Sequence, residues 1–240
     1  MNGCPFTEPP WLASLPRLST GSPQFFGANG RPARYRELPS IPASFPGDTA
    51  GDSVRALALA IRRRCAICGC SLPTERVYHL WYQGPSWEEW PGGVWTHYIP
   101  GPMHKSCAIY SAMACPWLQY PNSKTKYRQD REKVKRGQAA IVEFGQYGIA
   151  FFEKGTHDTW AFGYYDDTEW VRYGTYKELR PWYVEAVAAD AKLIDCATRL
   201  YWADNTGLTE CSRRDKPTLV RLRTSAVTWV NGYGYRLAVL

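Results

Sequence analysis

Five of the eight cysteines (Cys65, Cys68, Cys70, Cys107 and Cys115) fall between positions 65 and 115, together with three of the four histidines, His79, His97 and His104. An even cysteine count suggests disulfides in a short secreted chain. Residues 1–10 carry neither the basic nor the apolar run of a secretory signal, so the expected compartment is the cytoplasm, and clustered Cys and His there point to a metal. Cys65-Ala66-Ile67-Cys68-Gly69 reads as a zinc knuckle: the glycine lets the backbone turn so that its amides approach thiolate sulfur. His104 and Cys107 stand three apart at the start of an expected helix, which places both on one face. Cys65, Cys68, His104 and Cys107 thus make a Cys3His set for one structural Zn2+, with four protein ligands closing the tetrahedron and no position left for water. Cys70 and Cys115 are spare candidates. Cys4, Cys196 and Cys211 are most simply buried or incidental thiols.

The elements that must position this set follow from pattern and punctuation. Residues 1–52 hold nine of the 18 prolines in positions 1–50 and read as an extended arm, with Trp11 and Leu12 among its apolar residues. Residues 53–120 form a helix plus a treble-clef-like zinc unit. In it a helix from about Ser53, with Val54, Leu57, Ala58 and Ile61 at helical spacing, leads to the knuckle. Strands over 76–82 and 93–99 pair as a hairpin, and the helix 108–114 carries the second ligand pair. Residues 121–138 are a basic connector or helix. Residues 139–240 are an α+β region. Strands over 140–144, 148–152, 159–165 and 169–173 are turned by Gly145, Lys154-Gly155 and Asp166-Asp167 into an antiparallel meander. A long helix runs from Pro181 to about Ala203, and a hairpin forms over 226–230 and 233–239 around Asn231-Gly232. The expected fold class is therefore α+β.

Composition narrows the function. With 45% hydrophobic and 15% aromatic residues the chain is globular, and no run approaches the eighteen apolar residues of a membrane span. The net charge of +7 favours acidic partners. It concentrates in Lys124, Lys126, Arg128, Arg131, Lys133, Lys135 and Arg136, and again in Arg213, Arg214, Lys216, Arg221 and Arg223. Such a run is usually a solvated face, and the acidic partners it would suit are nucleic acid or an acidic protein face. Catalytic signals are weak. A redox Cys-x2-Cys opens a helix after a strand, whereas here the helix comes first. An HNH-like nuclease would use His97, but acidic partners and a second ligand set are missing near it. Phosphate-loop, serine-hydrolase and zinc-protease motifs are absent. No enzyme is expected.

Cys4-Pro5-Phe6, Cys65-x2-Cys68-Gly69 and Gly101-Pro102-Met103-His104-x2-Cys107-Ala108-x-Tyr110-Ser111-x3-Cys115-Pro116 together resemble a family of actinobacterial and actinophage proteins. Its phage branch is similar to the recombination directionality factors that act with large serine integrases of Streptomyces phages. The matching motifs cover about the first half of the chain. The resemblance implies a non-catalytic accessory protein in the cytoplasm of a bacterial host. Its partner would be a phage-encoded large serine integrase on DNA, which it switches from integration to excision without needing direct DNA contact. The alternative is a zinc-containing nucleic-acid-binding regulator that uses the two basic patches.

Overall fold

A computed structural model describes residues 9–13, 56–82, 88–90, 94–97, 101–114, 118–121, 124–126, 133–135, 139–152, 160–197, 199–200, 208–228 and 235–240. The fold mixes helices with antiparallel sheet, as the α+β reading expects. The helical segments are α1 (Pro10–Ala13), α2 (56–61), α3 (Lys105–Ala114), α4 (Arg180–Asp190) and α5 (Leu208–Ser225). The strands are β1 (Val77–Tyr82), β2 (Glu88–Trp90), β3 (Val94–His97), β4 (Lys124–Lys126), β5 (Lys133–Lys135), β6 (Ala139–Phe152), β7 (Trp160–Tyr173), β8 (Val227–Thr228) and β9 (Tyr235–Val239).

The sheet is organised around β6. One edge of β6 pairs with β7 along nearly its whole length. The other edge is divided, with β1 on residues 139–144 and β9 on residues 148–152. The strand order β2-β3-β7-β6-β9-β8, with β1 also on β6, brings strands from both halves of the sequence into one sheet.

Several local expectations change. The meander of four short strands is two strands of 14 residues each. Gly145 and Asp166-Asp167, read as turns, instead form a bulge. Glu143 is opposite Glu169 and Phe144 opposite Asp167, so Thr168 is the extra residue, and Asp166 adopts φ +57. Turns and bulges both use residues that tolerate a left-handed backbone, which is why the two read alike. Residues 153–159, with Lys154-Gly155, lie outside the described set. The hairpin expected between 76–82 and 93–99 is replaced by wider pairing: β1 binds β6, and β3 binds β7. The basic stretch at 121–138 is not a helix in its described parts. Lys-Thr-Lys and Lys-Val-Lys alternate with period two around a β-branched residue and form the β4–β5 ladder. Lys124 and Lys126 are register partners of Lys135 and Lys133, while Arg128, Arg131 and Arg136 lie outside the described residues.

The helix expected over 181–203 stops at Asp190, and a second helix, α5, covers the basic patch at 213–223. Pro217 inside α5 masks it in the sequence, because proline removes an amide donor and normally interrupts a helix. The C-terminal hairpin appears as the paired strands β8 and β9, while Asn231-Gly232, expected to turn it, lies outside the described residues. Of the arm at 1–52, only residues 9–13 are described. They form a helical turn that buries Trp11 and Leu12 in the main core rather than an extended run. Among the described residues no helix is long and apolar enough to cross a membrane.

The main core packs Tyr110, Ile109 and Met113 of α3 against Ile141, Phe144, Phe162 and Tyr164 of the sheet and Leu179, Tyr183 and Ala186 around α4. A second cluster joins Leu57, Ile149, Phe151 and Ala238 to Leu219 and Leu222 of α5. A bidentate pair also ties α5 to α2. Arg62 Nη1 and Nη2 donate to buried Asp215 at 2.8 and 2.6 Å, and that hydrogen bonding raises the guanidinium pKa further. Asp215→Ala should cost about 1–3 kcal/mol, the range for a hydrogen-bonded charge left without its partner. Hydrogen exchange should show faster exchange confined to α5. Unchanged protection there would contradict the role given to the pair.

Candidate metal centre

The knuckle begins where α2 ends. Gly69 takes φ +73 and turns the chain, its amide donating to the Cys65 carbonyl at 2.9 Å. The Cys65 amide reaches the Cys70 carbonyl at 2.9 Å, closing the loop on itself. The amide of Ile67 points at Cys65 Sγ, 3.4 Å away, as the knuckle reading requires. The other ligand pair comes from the loop 101–104 and the first turn of α3. Met103 and Tyr78 exchange two backbone bonds of 2.9 Å, which fixes that loop to the edge of β1. Ala66, between the two knuckle cysteines, donates to the Pro102 carbonyl at 2.8 Å. Two segments nearly forty residues apart are thereby stitched together beside their ligands.

Cys65 Sγ, Cys68 Sγ, Cys107 Sγ and a nitrogen of His104 all lie within 4.8 Å of one another, and all four residues are buried. His104 Nδ1 is 3.4 Å from Cys68 Sγ and 3.9 Å from Cys107 Sγ. On the far side of the ring, Nε2 sits 2.8 Å from the Ser71 carbonyl. A carbonyl can only accept, so Nε2 carries a proton and donates it, which leaves Nδ1 as the ring nitrogen that would face an ion once its own proton is displaced. Bonds of about 2.3 Å to sulfur and 2.0 Å to nitrogen place tetrahedral donors roughly 3.5–3.8 Å apart, so a small contraction of this set would close around one ion.

The electrostatics fit the same picture. Burial pushes the Cys68 and Cys107 thiols well above their ordinary range, reinforced by hydrogen bonding with Cys65. Burial also opposes ionisation of Cys65, but hydrogen bonds from Cys107 and Cys68 and the charge of His104 outweigh it and hold Cys65 well below that range. Burial disfavours imidazolium at His104, yet the charge and hydrogen bond of Cys65 raise it to about 9. A divalent cation would displace the protons that these buried groups hold and supply the positive charge that buried thiolates need. This buried group can hold one metal ion.

Asp190, at the end of α4, supports α3 from outside the cluster. Its Oδ2 accepts from the Ser106 amide at 2.8 Å and from the Ser106 hydroxyl, capping the helix that carries Cys107. Asp190→Ala would leave a buried amide and hydroxyl without an acceptor, costing about 1–3 kcal/mol. The thermal midpoint should fall by several degrees, with Asp190→Asn intermediate. An unchanged midpoint in Asp190→Ala would contradict the capping role.

Of the other sequence candidates, His79 is buried in β1 and stacked on Tyr164, with ring centroids 4.5 Å apart, away from the four-residue group. His97 ends β3 opposite Phe162. Cys4 and Cys115 lie outside the described residues. Cys70 is buried beside the knuckle but outside the group. Its neighbour is Cys196, which reads in the sequence as a buried or incidental thiol but is exposed, and no local spacing could have placed it there. Arg199 and Leu200 follow Cys196 across the knuckle, Leu200 donating to the Gly69 carbonyl at 3.0 Å. In comparisons with known proteins, the chain matches no family model, no curated protein and no solved structure.

Proposed function

We propose that the chain is a non-catalytic accessory protein, a recombination directionality factor that binds a phage large serine integrase and shifts recombination from integration to excision. A single zinc ion held by Cys65, Cys68, His104 and Cys107 serves as its scaffold. The observation that carries the non-catalytic part is the burial of all four donors, since a site closed by four protein ligands has no position at which to activate water or substrate. The unit is treble-clef-like in its two ligand-bearing halves, a knuckle and the first turn of a helix, while the strands between them join the larger sheet. The integrase assignment rests on the resemblance of the motif residues. A protein partner is further supported by α4, where Trp182 and Val184 are 39% and 64% exposed beside the capped end of α3.

Acting on direction without chemistry is a population shift: the factor binds one arrangement of integrase on DNA more tightly than the other. The test is an in vitro reaction with the cognate integrase on left- and right-end attachment sites. Adding this protein should switch on excision and suppress integration. No excision at any excess of the protein over integrase would refute the assignment.

The basic face of α5 favours one other reading, a zinc-containing nucleic-acid-binding regulator. Arg213, Arg214, Lys216, Arg221 and Arg223 are all exposed there. Direct binding to random duplex would weaken steeply with salt. Supershift of integrase-bound DNA without a shift of DNA alone at moderate salt would rule that reading out.

A further inference from the structure

Cys70 lies outside the four-donor group, yet its sulfur is 3.5 Å from that of Cys196, a residue 126 positions later in the chain. Cys70 is fully buried, whereas Cys196 is exposed, so the pair is accessible from one side only. The segment carrying Cys196 is already held in place. Leu200 bonds to the Gly69 carbonyl, and Arg199 donates both to the Trp11 carbonyl and to Cys196 Sγ, the latter at 3.2 Å. That contact holds the Cys196 sulfur in place beside Cys70. A disulfide needs the sulfurs at about 2.05 Å, so the two must close by about 1.5 Å to bond.

We infer that Cys70 and Cys196 form a reversible dithiol–disulfide site, oxidised by a hydroperoxide, that locks Cys196, Arg199 and Leu200 across the knuckle. The exposed Cys196 sulfur gives up its proton and attacks a peroxide oxygen, the O–O bond breaks, and the leaving oxygen takes up a proton, departing as water when the oxidant is hydrogen peroxide. The product at Cys196 is a sulfenic acid. The Cys70 sulfur then attacks the Cys196 sulfur, the S–O bond breaks, and the departing oxygen takes up the Cys70 proton to leave as a second water. Two electrons pass from the sulfur pair to the peroxide. A dithiol reductant reverses the bond by exchange. The site uses no residue of the four-donor group, so it stands apart from the identity of any ion there.

The experiment uses the full-length protein, as purified, treated with hydrogen peroxide under native conditions. Remaining thiols are then blocked, and the protein is digested without reduction. The expected result is a linked peptide pair joining Cys70 to Cys196, with a loss of two free thiols per chain that dithiothreitol restores. Cys196→Ser, a change at an exposed position, should abolish the link, while Cys211→Ser should leave it intact. Circular dichroism of both variants checks that each is folded. Metal content measured on the same samples reports separately on the Cys65 group. Cys70 remaining free in the oxidised wild type would overturn the inference, and so would Cys196 linked mainly to Cys65, Cys68 or Cys107. Thiol loss in Cys196→Ser equal to that of the wild type would do the same.

Discussion

Replacing Cys107 by serine should abolish cooperative folding of the core. Cys107 is fully buried in the first turn of α3, where its thiol completes the four-donor group. Serine is close in size, but its hydroxyl does not ionise at neutral pH and is a poor zinc ligand. The binding free energy of structural zinc is folding free energy, about 10–16 kcal/mol in small zinc-finger peptides, against a total stability of about 5–15 kcal/mol for a typical domain. Even a fraction of that loss exceeds what the apolar packing around α3 can absorb. Cys65→Ser should behave alike, and chelation under mild denaturant should reproduce the effect on the wild type. Cys211→Ser is the control, because Cys211 lies in α5 outside the group and should keep both the metal and the unfolding transition. Urea titration followed by tryptophan fluorescence separates these outcomes. A sharp, wild-type-like transition in Cys107→Ser would mean that no ion holds this region together.

The second large effect is expected at Gly69. Its φ of +73 alone costs a side-chain-bearing residue about 1–2 kcal/mol. An added Cβ would also lie 2.0 Å from the Leu200 carbonyl oxygen and 3.0 Å from its carbon, both backbone atoms that cannot rotate away. The segment carrying Arg199 and Leu200 would have to lift, breaking the Leu200–Gly69 hydrogen bond at a further cost of about 1 kcal/mol. Gly69→Ala should therefore lose about 3 kcal/mol or more. For a chain of this length that corresponds to a fall of roughly 6–12 °C in the thermal midpoint. The same displacement should open Cys70 to alkylation under native conditions, because the lifted segment is what lies beside it. A midpoint within a degree or two of the wild type would show that the knuckle does not depend on this approach.

The legible parts of this molecule are those set by short-range chemistry. Cys65, Cys68, His104 and Cys107 stand out because ligand spacing and the knuckle glycine are local requirements, and the structure places these four side chains together. The pairing of β8 with β9 is legible for the same reason, since the two strands lie close together in the sequence. What stayed hidden depends on distant partners. Nothing in 76–82 announces that β1 will pair with β6 rather than with its neighbour in sequence. The apolar spacing after Pro181 continues past Asp190, but the chain leaves the helix there. The Asp190 carboxylate caps α3, and the residues beyond are drawn across Gly69. α5 was obscured by Pro217 and by its charge, with only a narrow stripe, including Leu219 and Leu222, facing the sheet. Trp11, in a proline-rich stretch that reads as an extended arm, sits in a helical turn buried in the main core. Tertiary packing decides each of these, and propensity gives way to it.

The zinc scaffold is the claim on which the rest depends, and elemental analysis of the full-length protein, purified without chelators, tests it most directly. Four buried donors closing a tetrahedron predict close to one equivalent of zinc per chain, lost in Cys107→Ser and retained in Cys211→Ser. Less than about half an equivalent of zinc in folded wild-type protein would contradict the account, because a closed structural site should be nearly full.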